Sequence, residues 1–143
     1  MDIVDYPFIK AGAADSRPAL FIRLTSPRTG RVQDTTGLID TGVFGCCVPI
    51  SYAEILGLAP ESDVKRTVRT ASGTTTAYEH NCGIKVWDTH EFFKGNKVLV
   101  YELSNMRILF MEGLTDILLG IGFLNEKVLT IDYRRKCFSL RKS

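Results

Sequence analysis

Asp40-Thr41-Gly42 constrains this chain more than any other stretch, because it directly follows the apolar pair Leu38-Ile39 and so sets one carboxylate at the end of a buried strand. Such a tripeptide arises by chance in roughly one chain in thirty of this length at average residue usage. By itself an Asp before Thr-Gly is most often a turn or cap, since its side chain bonds local backbone N–H groups. What the motif means therefore depends on its surroundings.

At 143 residues the chain is long enough to bury most of a single core and too short for two lobes. It contains no run of eighteen apolar residues, and Met1-Asp2-Ile3-Val4-Asp5 is not a charged segment leading into an apolar one. The expectation is a soluble, cytoplasmic protein with no membrane partner. Cys46, Cys47, Cys82 and Cys137 include a vicinal pair and show no framework spacing, as expected of reduced thiols in a cytosol. Eighteen basic against sixteen acidic residues leave a net charge of +2, which makes no electrostatic case for nucleic acid. Arg134-Arg135-Lys136 and Arg141-Lys142 read as a solvated turn and tail.

The patterning is mostly β. Residues 1–17 form an N-terminal segment that is expected to be mobile, because Ala11-Gly12-Ala13-Ala14-Asp15-Ser16 is small and polar. Residues 18–143 form the single domain. Ala19 to Leu24 reads as a strand ended by the turn residues Ser26-Pro27-Arg28-Thr29-Gly30, and a second strand runs through Val32 to Ile39. Ser51-Tyr52-Ala53-Glu54 has the capping-box pattern, with Gly57 placed to end the short helix it starts. From Val64 onward short β segments are expected, with Lys94-Gly95-Asn96-Lys97 as a turn and a second short helix near Gly122 that carries Phe123 and Leu124 inward. Many short strands with Gly-rich turns predict a small closed all-β barrel.

Four further motifs follow the Asp-Thr-Gly in order: Cys46-Cys47-Val48-Pro49-Ile50 with Ala53-Glu54-Ile55-Leu56-Gly57-Leu58, then Val68-Arg69-Thr70-Ala71-Ser72-Gly73-Thr74, then Ile117-Leu118-Leu119-Gly120-Ile121-Gly122-Phe123-Leu124, and last Thr130-Ile131-Asp132-Tyr133 with Phe138-Ser139-Leu140. In order and spacing they resemble the retropepsin-like, retroviral-type aspartic proteases, in the cellular and bacterial form. The resemblance implies a retropepsin-like barrel with a flap hairpin and one or two short helices. It also implies an aspartic endopeptidase that needs no metal or cofactor and acts on a peptide or protein substrate.

The chemistry needs two carboxylates close together, one to take a proton from water and the other to give one to the substrate. This chain has one Asp-Thr-Gly, so a homodimer would supply Asp40 twice across a two-fold axis. By resemblance, Thr41 would bond across that axis and Gly42 would allow the sharp turn beside the carboxylate. Gly120 would pack under the loop, Ala71, Ser72, Gly73 and Thr74 would form the flap that closes on an extended peptide, and Val43, Phe44 and Ile121 would line substrate pockets.

Two segments depart from the family's pattern. Val43-Phe44 stands where the family has Ala and a small polar residue or Asp, and Thr36-Gly37 replaces the apolar start of the catalytic strand. A bulky aromatic at position 44 either narrows the cleft or moves outward. A second reading is therefore a retropepsin-like dimer that grips an extended chain without cutting it. Without the other motifs, Leu118-Leu119-Gly120 would be an ordinary buried strand with a tight bend, and Ser72-Gly73 a plain hairpin turn. His80, Cys82 and His90 lack the spacing of a zinc site, and the histidines give no signature of a Ser-His or Cys-His nucleophile.

Overall fold

The computed structural model describes residues 2–12, 15–70 and 72–142. β4 (Ala19–Thr25) alternates buried and half-buried residues, so that Leu20, Ile22 and Leu24 face one core. It pairs antiparallel with β5 (Val32–Ile39) through the turn at Ser26–Arg31, in which Gly30 takes a positive φ. β10 (Ile117–Leu119) lies parallel to the end of β5 and antiparallel to β6 (Cys46–Pro49), and β6 runs parallel to β9 (Leu99–Met111). β9 pairs with β8 (Gly73–Trp87), and β8 returns to β4 with Ile22 opposite Val86 and Leu24 opposite Ile84. The circuit of paired strands closes, giving the all-β barrel. β7 (Lys65–Thr70) lies outside it and pairs with the first half of β8 as the flap hairpin.

β8 and β9 are fifteen and thirteen residues long where short segments were expected. Gly83 explains the difference. The β8–β9 register shifts between Cys82 and Ile84, and a Cβ on Gly83 would run into the Thr25 hydroxyl, so the glycine marks a bulge where β4 approaches rather than a strand end. The expected oddity at Gly37 also has a packing cause: a Cβ there would lie 2.9 Å from Leu119 Cδ1 and 3.2 Å from Ile22 Cδ1.

The N-terminal segment is part of the fold. β1 (Ile3–Pro7) pairs with β12 (Cys137–Lys142), which also pairs with β11 (Lys127–Asp132), and Ile3 and Tyr6 are buried. β2 (Ile9–Lys10) pairs antiparallel with β3 (Ser16–Arg17), and of the small residues between them Ala13 and Ala14 lie outside the described residues.

The helices depart from expectation at their starts. α1 (Ser51–Ile55) has Ile50 as its N-cap and no side-chain cap bond, so Ser51 does not close the box with Glu54. Its end is as expected: Gly57, at φ +71, donates to Glu54 while Leu58 donates to Ala53, a Schellman close. The side-chain cap occurs instead at α2 (Thr89–Phe93), where the Asp88 carboxylate accepts the Glu91 N–H at 3.0 Å. α3 (Ile121–Leu124) follows Gly120 and buries Phe123 in the barrel core.

Candidate active site

Asp40 is the first residue beyond β5. Its backbone N–H donates to the Leu119 carbonyl at 3.1 Å, which extends the β5–β10 pairing by one step and brings Gly120 beside it. Its carboxylate turns back on the loop and accepts the Gly42 N–H at Oδ1, 2.8 Å away. Oδ2 has no protein partner among the described residues and remains available to a water or a second carboxylate. Asp40 is half-buried, while Thr41 and Gly42 are exposed beside it.

The loop is held from below. The Val43 and Phe44 carbonyls accept the N–H groups of Ile121 and Gly122 at 2.8 and 2.6 Å. A Cβ on Gly120 would run into the carbonyls of Gly45 and Val43, so only glycine lets the loop lie this close. Ile121 is exposed at the head of α3.

The flap is the β7–β8 hairpin. Thr70 pairs with Gly73, and Gly73 takes φ +130 with open space where a Cβ would stand. Thr70 Oγ1 reaches the Gly73 carbonyl at 3.1 Å, and Ser72, Gly73 and Thr74 are exposed. Ala71 lies outside the described residues. A small apolar cluster ties the flap base to the loop's support: Cys47 and Leu118, partners across β6 and β10, pack in it with Val68 and Ala77 of the hairpin.

A pocket of about 490 Å³ opens beside Asp40 and Thr41 on the side of the terminal strands. Phe8 and Tyr133, in edge contact at 5.5 Å, form part of its wall with Pro18 and Leu38, and Arg17 and Lys136 bring positive charge to it. Arg17 is tied to Asp116 at 3.2 Å and to the Ala11 carbonyl at 2.9 Å. No local pattern in the sequence marks this pocket, since its walls come from both ends of the chain. Phe44 does not line it: the residue is 87% exposed on the surface of the loop that follows Asp40.

The other nucleophile candidates are inert by environment. Burial pushes the Cys46 thiol up to about 11, and burial followed by the charge of Asp40 pushes Cys47 up as well, so both are protonated near neutral pH. His80 and His90 each contact a backbone carbonyl, of Ala59 and Val4. Among the described residues no three metal-ligating side chains come together.

No protein-family model matches the chain, and no curated protein does. Among solved structures, the chain matches the crystal structure of a retropepsin-like aspartic protease from Rickettsia conorii with a TM-score of 0.55, over 87% of this chain and 92% of that one. The chain has a retropepsin-like fold. Sequence identity across that match is 21%, so the likeness concerns the arrangement of strands. Within this retropepsin-like fold, Asp-Thr-Gly lies on the loop between β5 and β6, and Gly120, the residue after β10, packs against that loop.

Proposed function

We propose that this chain is an aspartic endopeptidase that works as a homodimer. The observation that carries the reading is the half-site itself: a carboxylate at a strand end, turned by the Gly42 N–H and locked by Leu119 and Gly120, with one oxygen free. One such group cannot both accept and donate the protons that amide hydrolysis needs. Two of them, a few ångströms apart across a two-fold axis, share a proton and titrate as a pair.

In the proposed reaction the ionised member of the pair takes a proton from water as the water oxygen bonds to the scissile carbonyl carbon. The protonated member gives its proton to the carbonyl oxygen. The C–N bond of the resulting gem-diol then breaks: one carboxyl protonates the leaving nitrogen while the other takes the proton of a gem-diol hydroxyl as the carbonyl re-forms, and the pair returns to its single shared proton. Thr41, exposed beside Asp40, would bond to its counterpart across the axis. Ser72, Gly73 and Thr74 would hold an extended, largely apolar peptide by its backbone, with Val43 and Ile121 beside its side chains. Buried free thiols suit a cytoplasmic enzyme.

Two measurements test the proposal. Activity per chain should rise with protein concentration through the dimerisation range, and a statine-type mimic of the gem-diol should block it. Activity per chain that stays flat as the dimer dissociates would contradict a shared dyad.

A further inference from the structure

Phe44 is out of keeping with its setting. Its carbonyl accepts the Gly122 N–H at 2.6 Å, yet the residue is 87% exposed, more than any other large hydrophobic residue among the described residues. Leaving such a ring in water forgoes burial of a large apolar surface. The pocket beside Asp40 has the converse character. It is open, walled by Phe8, Pro18, Leu38 and Tyr133, flanked by the cations Arg17 and Lys136, and unfilled by this chain's own Phe44.

Both features lie close to one point. The pocket's rim includes Asp40 and Thr41, and Phe44 is four residues from Asp40, so it lies within about 14 Å of it even for fully extended chain. On the reading that two Asp40 carboxylates meet at a two-fold axis, a ring and a pocket so near the axis both fall on the face that meets the second copy. An isologous interface pairs each feature with its complement on the partner.

We infer that Phe44 is the dimer's anchor, with each copy inserting this ring into the pocket beside the other copy's Asp40. The aromatic walls suit edge contact with a third ring, and Arg17 and Lys136 suit its π face. The bulky residue after Asp-Thr-Gly-Val then serves assembly of the site rather than selection of substrate. The inference depends on the dimeric reading above and adds to it which residues join the copies.

Sedimentation velocity over a concentration series tests this on the wild-type chain and on Phe44→Ala, Tyr133→Ala, their double variant and Phe93→Ala. Phe93, 64% exposed on α2, is a control for the loss of an exposed ring elsewhere. The expected result is a dissociation constant raised about a hundredfold or more by Phe44→Ala, the scale of an interface hot spot. Phe93→Ala should leave it unchanged. Phe44 and Tyr133 should couple, with the double variant losing clearly less than the two single losses added in free energy. A wild-type dimer that Phe44→Ala leaves equally tight, or fully additive losses, would overturn the anchor while leaving the dyad reading intact. A raised KM with unchanged association would assign Phe44 to substrate instead. A wild-type chain that stays monomeric at all concentrations would defeat the dimeric reading itself.

Discussion

The Asp40 N–H donates to the Leu119 carbonyl at 3.1 Å, so the residue that carries the carboxylate is held by a strand from the far end of the chain. Directly beyond that bond, Gly120 passes under the loop with no room for a side chain. The position of Asp40 is therefore a property of the closed barrel and not of the loop alone. Any change that lifts the loop from β10 should move the carboxylate.

Gly120→Ala is the smallest such change. Its methyl group would meet backbone carbonyls, which cannot rotate away as a flexible side chain could. We expect a stability loss of about 2–3 kcal/mol, at the upper end of ordinary overpacking. Cleavage should fall far more than the folded fraction does at 25 °C. Urea denaturation beside an activity assay checks both, and near wild-type activity would contradict the role of the close approach.

Gly73→Ala should separate function from stability at the flap. Space around Gly73 is open, but its φ of +130 is costly for any residue with a Cβ. Strain of about 1–3 kcal/mol in an exposed hairpin tip is relieved by distorting the tip rather than by unfolding the barrel. KM for a peptide substrate should rise while the melting temperature moves by only a few degrees.

Asp34 supplies a pH signature. It accepts from Arg23 at 2.6 and 3.0 Å and from Lys97 at 2.6 Å, and the bond from Arg23 contributes most to lowering its carboxyl to about 2. A lowered native value stabilises the fold above the unfolded value of about 3.9, and that contribution is lost as pH falls through the native one. The carboxylate is 38% exposed, so the effect is screened to about 1 kcal/mol or less. Asp34→Asn should be less stable than wild type by that amount at neutral pH, and the gap should narrow from about pH 4 and close below about pH 2. A gap undiminished as pH falls to about 2 would point to lost packing instead.

Cys46, Cys47, Cys82 and Cys137 are all buried and free. Burial raises Cys46 and Cys82 to about 11, so little thiolate is available near neutral pH. A disulfide reagent such as DTNB should label the native protein slowly, and labelling should become fast on unfolding. Rapid native labelling with loss of activity would contradict an inert role for Cys46 and Cys47, which follow the Asp40 loop.

Much of this architecture was legible in the chain because the informative residues are neighbours in sequence. Leu38-Ile39 before Asp40, the Ser26–Gly30 turn, Ser72-Gly73 in the hairpin and the glycine after Leu118-Leu119 each announce a local geometry that the fold keeps. Other features depend on contacts that local patterns do not reveal. Gly83 lies at a bulge where Thr25 approaches, and β8 and β9 run through it longer than the short segments expected. The capping pattern was read at Ser51-Glu54, but the equivalent Asp88-Glu91 is the one whose side chain caps a helix. The pocket beside Asp40 was invisible because Phe8, Leu38 and Tyr133 meet only in three dimensions. The outward course of Phe44 was one of two options the sequence left open, and the bonds from Ile121 and Gly122 hold the loop that carries it.

The most direct test of the central claim is cleavage of a mixed peptide library across mildly acidic to neutral pH, wild type beside Asp40→Asn, at concentrations where both are shown to be dimers. The account predicts cuts by the wild type within extended, largely apolar segments, with an acid-side optimum, and none by the variant despite an unchanged fold and dimer. Equal cleavage by both would contradict the assignment of Asp40. An intact wild-type dimer that cuts nothing at any pH would contradict the enzyme and leave a protein that grips peptides without hydrolysing them.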